Sequence, residues 1–276
     1  MDLYLKTCLD CSKLITNKYS TSFSIGIKSL NKNYHKPIYA IYGFVRYADE
    51  IVDTFYDHDR TTLLDKFKID TFEAINNKIS SNPVLQSFQW VVNKYKINHE
   101  LIHAFFKSME MDLHKNSYNK TGYENYIYGS AEVVGLMCLR VFYKNDNDNY
   151  EKLQLPAKKL GQAFQKVNFL RDIKHDYHLR ERIYFPDINF DNFNENDKLK
   201  IEKEIQNNFS DALPGILSLK KGARFGVYIA YCYYQALLKK IKKATPKKIT
   251  NMRFRISNFK KLFILIKAFI KLLFIK

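Results

Sequence analysis

Four aspartates fall into two pairs of identical spacing, Asp49/Asp53 and Asp172/Asp176, well apart in a chain of 276 residues. The first pair lies in Phe44-Val45-Arg46-Tyr47-Ala48-Asp49-Glu50-Ile51-Val52-Asp53 and the second in Gln165-Lys166-Val167-Asn168-Phe169-Leu170-Arg171-Asp172-Ile173-Lys174-His175-Asp176. Neither stretch contains Gly or Pro, and both carry apolar residues at helical intervals, so each reads as helix. Residues i and i+4 share a helix face, about 6 Å apart along the axis. Like charges at that spacing repel, so a purely structural helix gains nothing from them. A hard divalent cation changes the sign, because Mg²⁺ prefers carboxylate, water and phosphate oxygens. Two such helices facing each other across a cavity would hold Mg²⁺, or Mn²⁺ as a substitute, with a diphosphate between them.

A lone D-x-x-x-D on a helix is most often a solvated face. The neighbouring residues argue against that here. Arg46 precedes Asp49 by three residues and shares its face, where a planar guanidinium suits phosphate oxygens. Gln165, Asn168, Asp172 and Asp176 form a continuous polar stripe, flanked by Ala163, Phe164, Val167, Phe169, Leu170 and Ile173. Most of that helix therefore expects burial, and a polar stripe within it needs partners.

Further segments follow in order: Ser20-Thr21-Ser22-Phe23-Ser24, Tyr42 through Asp53, Tyr126-Ile127-Tyr128-Gly129-Ser130-Ala131-Glu132-Val133-Val134-Gly135-Leu136-Met137, Gln165 through Asp176, and Arg182-Ile183-Tyr184-Phe185-Pro186. With these five motifs the chain resembles the squalene/phytoene synthases, the head-to-head isoprenyl diphosphate synthases, over roughly residues 15 to 190. The resemblance implies an all-α isoprenoid synthase fold, a helical bundle around a central cavity. It implies that Asp49, Asp53, Asp172 and Asp176 are catalytic and hold Mg²⁺, with Asn168 beside them. Ser20, Ser22, Arg46, Arg171, Arg182 and Tyr184 would grip diphosphate oxygens. Gln165 and Asn168 would orient metal-bound water or the intermediate. The ring faces of Phe23, Tyr42 and Tyr128 would stabilise a carbocation without quenching it. Glu132 has a plainer reading, an acidic helix residue paired to a nearby base.

Composition agrees with one domain over 1–276, since 46% hydrophobic residues can bury one large core. Only 9 Gly and 6 Pro favour helices throughout. Lys115 to Gly122, Lys144 to Lys152 and Asp187 to Asp197 read as loops. The first residues lack the charged-then-apolar order of a secretory signal, so a cytoplasmic protein is expected, peripheral on the inner membrane face. Cys8 and Cys11 form a C-x-x-C with no second pair at zinc-finger spacing, which favours ordinary reduced thiols.

Nearly all of the net charge of +17 is C-terminal: after Asp211 there is no acid, whereas Lys220, Lys221, Arg224 and thirteen Lys and Arg from Lys239 to Lys276 follow. Nucleic acid is one explanation of such a block. The pattern from 260 to 276 favours another, because Lys260, Lys267 and Lys271 lie in one narrow strip of an otherwise almost wholly apolar helix. Lys recurs too often for a membrane span. A basic amphipathic helix in the interface of an anionic bilayer fits, and so does a terminal helix packed on the core with its lysines outward.

Departures from the family pattern bear on substrate. Tyr19 stands where several bacterial members have His, and Ile27 replaces an aromatic that shorter-chain members carry deeper in the pocket. The smaller Ile27 is consistent with a C20 substrate, and Ser130 through Met137 resembles the phytoene branch. The resemblance thus implies two geranylgeranyl diphosphates condensing to phytoene without NADPH. Two farnesyl diphosphates condensing to dehydrosqualene or squalene is the alternative, and a catalytically silent scaffold of the same fold is an alternative of another class. No G-x-G-x-x-G follows a strand, although squalene-type enzymes bind NADPH without that fingerprint.

Overall fold

Asp, Asn and Ser recur just ahead of the apolar-periodic runs, and each such residue starts a helix by accepting from backbone N–H groups that the first turn leaves unpaired. The computed structural model describes residues 2–114, 117–180 and 182–274. The helices are α1 (Leu3–Tyr19), α2 (Thr21–Lys28), α3 (Lys32–Thr54), α4 (Arg60–Asn77), α5 (Pro83–Tyr95), α6 (His99–His114), α7 (Lys120–Ile127), α8 (Val133–Phe142), α9 (Asn147–Arg180), α10 (Glu195–Ser218), α11 (Lys221–Lys242), α12 (Pro246–Asn251) and α13 (Asn258–Leu273). The described residues contain no strand beyond an isolated bridge between Ser117 and Ile183. The fold is all-α, as the sparse Gly and Pro imply.

Capping also explains where the expected loops prove too long. Asn119 accepts from Gly122 N and starts α7 inside the first polar stretch, of which Lys115 and Asn116 lie outside the described residues. Asp146 accepts from Asn149 N at 3.1 Å at the start of α9, inside the second. Asn194 and Asp197 form a reciprocal capping box for α10, and Phe190–Asn192 makes a short 3-10 turn, so the third is partly structured too. Polar residues that read as loop are in these places the caps themselves.

Two large apolar clusters form most of the interior, with a smaller third around Ile216, Ile229 and Tyr233. One gathers around Phe44, Phe88, Phe105 and Phe106, all fully buried, with Phe44 and Phe88 stacked at 3.7 Å between α3 and α5. The other gathers around Val167, Leu170, Phe209 and Ile241, between α9, α10 and α11. Each fully buried Phe contributes about 1.5–3 kcal/mol by leaving water. A cavity of about 460 Å³ opens between the clusters, with α2, α3, α8, α9, α10 and α11 among its walls.

Between α7 and α8 the helix widens into one π turn, Tyr128–Glu132. Gly129 makes this possible, because its backbone lies directly against the Ala104 carbonyl and Ser108 of α6. The Tyr126 carbonyl accepts from Ser108 Oγ at 3.0 Å. A side chain at 129 would strike the backbone of α6, which cannot swing aside. Gly129→Val is therefore expected to cost about 3 kcal/mol, the upper end of overpacking penalties, and to lower the thermal midpoint by several degrees. An unchanged midpoint in calorimetry would contradict this close crossing.

Candidate active site

Of the four aspartates, Asp49 of α3 lines the cavity itself, whereas Asp53, Asp172 and Asp176 stand behind its lining, Asp172 held by the lining residues Arg171 and Arg253 and Asp176 buried. Tyr42, Arg46 and Asp49 of α3 line the cavity, as do Gln165, Asn168 and Arg171 of α9, with Phe23 from α2 and Ser20, its N-cap. On α9 the expected polar stripe is present and partnered. Asn168 Nδ2 donates to Gln165 Oε1 at 3.4 Å, and Tyr234 of α11 donates to Asn168 Oδ1 at 3.1 Å. Next to these groups lie four rings: Phe164 stacks on Tyr234 at 4.0 Å, while Phe23 lies 5.6 Å from Tyr42 and 5.9 Å from Tyr234. Apart from Tyr19, Tyr126, Ser130 and Arg253, the remaining lining is apolar and includes Ile27, Ile41, Leu139, Phe142, Leu160 and Ile216. Polar groups, π faces and hydrocarbon-like surface thus share one cavity.

The cations at the polar end are held by acids. Arg46 pairs with Glu50 and lies 3.8 Å from Asp49, and its guanidinium carbon sits 4.4 Å from the centre of the Tyr19 ring. Burial works to pull the Arg46 pKa down, but Asp49 and Glu50 outweigh it and raise it. Tyr19 therefore supports an arginine, which is what a ring can do where a histidine would offer nitrogen. Asp172 is gripped from two sides, by Arg171 Nε at 3.0 Å to Oδ2 and by Arg253 Nε at 2.7 Å to Oδ1. For Arg171, too, burial is outweighed by Asp172, and its pKa is raised.

A buried arginine joins the two aspartate helices. Arg182, only 4% exposed, donates through Nη1 to Asp53 Oδ1 at 2.8 Å and through Nη2 to the Asp112 carbonyl at 2.8 Å and the Val52 carbonyl at 3.3 Å. Its backbone N–H donates to the Asp176 carbonyl at 2.8 Å. Asp112 of α6 completes the cluster, accepting from Tyr126 Oη at 2.7 Å and Tyr184 Oη at 3.0 Å. Burial pushes the Asp112 carboxyl up to about 6 against the opposing pull of Arg182.

Four expected contacts change place. Arg182 does not line the cavity, and its Nη1 and Nη2 donors are committed to α3 and α6. Tyr184 is buried behind it, stacked on Phe169 at 4.1 Å. Ser22 does not line the cavity; within α2 Phe23 and Gly26, three residues apart on one face, take the inner side, with the N-cap Ser20 beside them. Tyr128 stands outside the lining too, while Tyr126 lines the cavity; Lys158 Nζ lies 5.5 Å from the Tyr128 ring centre. Glu132 accepts from Gln162 Nε2 at 2.7 Å and is 7% exposed, with burial raising its pKa, so its partner is an amide. Ile27 lines the cavity, 5% exposed.

Asp112, Phe164, Tyr234 and Arg253 were not found from sequence. Phe164 sits beside the polar stripe and was legible only as a flank; the others come from helices or links that carry no aspartate motif.

The donor set suits a hard cation that brings phosphate with it. Among the described residues no three His, Cys, Asp or Glu groups gather into a cage of their own. The side chains of Asp49, Asp53 and Asp172 keep 34%, 19% and 17% of their surface open. One or two carboxylates per ion, completed by water and phosphate oxygens, is how Mg²⁺ is usually bound at such sites.

Breaking the Arg182 cluster removes a cation that Asp53 and the buried Asp112 share. Arg182→Met is expected to cost about 3–5 kcal/mol at neutral pH, the range for one removed partner of a buried pair. Asp112 has a raised folded pKa, so its contribution favours the folded state at low pH and is lost as pH rises through about 6. Without Arg182 that pKa rises further, so the deficit against the native chain should shrink as pH falls from 8 to 5. Urea titrations at both pH values check this; a pH-independent deficit would contradict the cluster's role.

The squalene/phytoene synthase family description matches residues 16–260. A 4,4'-diapophytoene synthase from Staphylococcus haemolyticus (strain JCSC1435) is 25% identical over 253 residues, covering 83% of this chain and 86% of that protein. A phytoene synthase from Arthrospira platensis is 27% identical over 274 residues, covering 90% and 88%. The crystal structure of a dehydrosqualene synthase in complex with ligand has the same fold, with a TM-score of 0.81 at 21% identity over 97% of each chain. With its helices, cavity and paired aspartates in this arrangement, the chain belongs to the squalene/phytoene synthase family of head-to-head isoprenoid synthases.

Proposed function

We propose that the protein is a phytoene synthase, condensing two geranylgeranyl diphosphates to phytoene and releasing two pyrophosphates. The observation that supports this reading is a largely apolar cavity with a polar end, lined there by Asp49 and Arg46 of α3 and by Arg171 and Arg253, the two arginines that hold Asp172 of α9. Asp49 and Asp53 would hold Mg²⁺ on one side, and Asp172 and Asp176 on the other, with Asn168 adjacent. Bound there, the metal supplies positive charge at the departing diphosphate oxygen.

The chain's own residues account for the rest. Arg46, Arg171 and Arg253 offer guanidinium donors to diphosphate oxygens once a metal shares the charge of their aspartates. Departure of the first pyrophosphate leaves an allylic cation, which alkylates the double bond of the second substrate and loses a proton to give a cyclopropylcarbinyl diphosphate. That intermediate loses its own pyrophosphate, rearranges and releases a second proton, so the phytoene route consumes no reductant. Phe23, Tyr42, Phe164 and Tyr234 present π faces between the polar and apolar regions, where a cation is favoured and water is displaced. Burial raises the Tyr42 phenol far above its usual range, so it stays neutral and does not trap the cation as a phenolate. Ile27, Leu30, Phe142 and Leu219 line the apolar region that would take the tails.

The farnesyl alternative uses the same machinery, and similarity to a diapophytoene synthase favours keeping it in the test. Purified protein with Mg²⁺ should give a C40 hydrocarbon from geranylgeranyl diphosphate, and Asp49→Ala and Asp172→Ala should each lower the rate by about 100-fold or more. A C30 product from farnesyl diphosphate alone would move the substrate and keep the mechanism. No product from either would favour a catalytically silent scaffold.

A further inference from the structure

Helix α13 packs on α11, yet its most apolar side faces away from the protein. Lys261 and Ala268 are its buried residues. Opposite them, Phe259, Phe263, Ile266, Ile270, Leu273 and Phe274 are 83%, 64%, 51%, 49%, 66% and 82% exposed. At 100° per residue these six fall within one arc of about 100°, and no charged residue interrupts it. Lys260, Lys267 and Lys271 form a strip along one border of the arc and are exposed. A helix that merely closed a core would turn its cation out and its phenylalanines in. Here a lysine is buried and phenylalanines meet solvent.

We propose that this outward face of α13 docks on the surface of an anionic lipid bilayer, with the apolar arc entering the acyl boundary and the lysine strip meeting headgroup phosphates. Charge selects this occupant. A second copy of the chain would press one lysine strip against another, and no acid follows Asp211 to relieve it. Nucleic acid would use the lysines and leave the apolar arc in water. A bilayer with negative headgroups satisfies both features. No helix among the described residues is long and apolar enough to cross a membrane, so the contact is interfacial.

The docking helix is fastened to the cavity wall. Lys261 Nζ bonds Thr21 Oγ1 of α2, and Tyr233 of α11 donates to the Lys261 carbonyl at 3.1 Å. In the segment leading into α13, Phe254 is buried, Lys240 donates to the Arg255 carbonyl at 2.8 Å, and Arg253 reaches Asp172. Docking through α13 would therefore hold α2 and α11, two walls of the cavity, near the lipid. The docking stands on α13 itself; only its purpose, access for hydrocarbon-tailed substrate and product, rests on the function proposed above.

The test is sedimentation of the full-length protein with vesicles of phosphatidylcholine alone or phosphatidylcholine mixed with phosphatidylglycerol. Partitioning onto the anionic vesicles should be roughly tenfold or more the stronger, and high salt should remove most of that preference. Phe263→Asp with Ile270→Asp should abolish binding to both. Lys260→Glu, Lys267→Glu and Lys271→Glu together should abolish only the anionic preference. Unchanged circular dichroism and unchanged turnover of detergent-dispersed substrate in these variants would show that folding is intact. No vesicle binding by the native chain, or equal binding by all variants, would overturn the proposal. So would a dimer in sedimentation velocity that Phe263→Asp dissolves in the absence of lipid. Loss of detergent turnover in the native chain with vesicle binding intact would overturn the catalytic reading alone.

Discussion

The site depends on one buried cation. Arg182 lies between α3, α6 and the C-terminal end of α9, bonding Asp53, the Asp112 and Val52 carbonyls and the Asp176 carbonyl. Two aspartate pairs facing each other would drive their helices apart, and within each pair like charges already repel. Arg182 offsets this before any metal arrives, its guanidinium holding Asp53 of α3 and its backbone N–H holding the Asp176 carbonyl of α9. Its own desolvation is met by the Asp112 carboxylate, which is in turn held by Tyr126 and Tyr184. Because Nη1, Nη2 and the backbone N–H of Arg182 and the hydroxyls of Tyr126 and Tyr184 all have acceptors, the geometry of the mouth is specified and not merely permitted.

From that mouth the cavity changes character over a short distance. Arginine and carboxylate give way to Asn168 and Tyr234, then to the rings of Phe164, Phe23 and Tyr42, and then to aliphatic walls. Each layer suits one stage of a carbocation reaction: leaving-group charge, cation, and hydrocarbon. The close helix crossings that shape it rely on glycine. At Gly226 a Cβ would stand 2.5 Å from the Gly26 carbonyl oxygen, so α2 and α11 could not approach as they do with larger residues.

Local patterns made the fold class and the aspartate helices legible in the sequence, since spacing, apolar flanks and the Gln165–Asn168 stripe are properties of one segment. What the sequence did not reveal comes from crossings between segments. Asp112 has no motif around it and matters only because α6 passes Arg182. Arg253 lies among the basic residues of the tail, where nothing distinguishes it from its neighbours until the chain returns to Asp172. Tyr128 and Ser22 belong to motifs, yet motif membership does not say which side of a helix faces the cavity, and Tyr126 and Ser20 take those places. Arg182 and Tyr184 belong to a motif too, and in the fold they lie behind the lining, bonded to Asp112. In the tail the helix and its lysine strip were readable, whereas the side turned toward α11 was not.

The central claim is that paired carboxylates, Mg²⁺ and a diphosphate form one binding unit at this mouth. Calorimetric titration of the native chain with a non-ionising thiodiphosphate analogue of geranylgeranyl diphosphate, with and without Mg²⁺, tests it most directly. The account expects tight binding only when metal is present, with affinity falling at least tenfold when it is chelated. Equal affinity in the presence of chelator would contradict it, because the arginines alone would then suffice and the two aspartate pairs would have no common task.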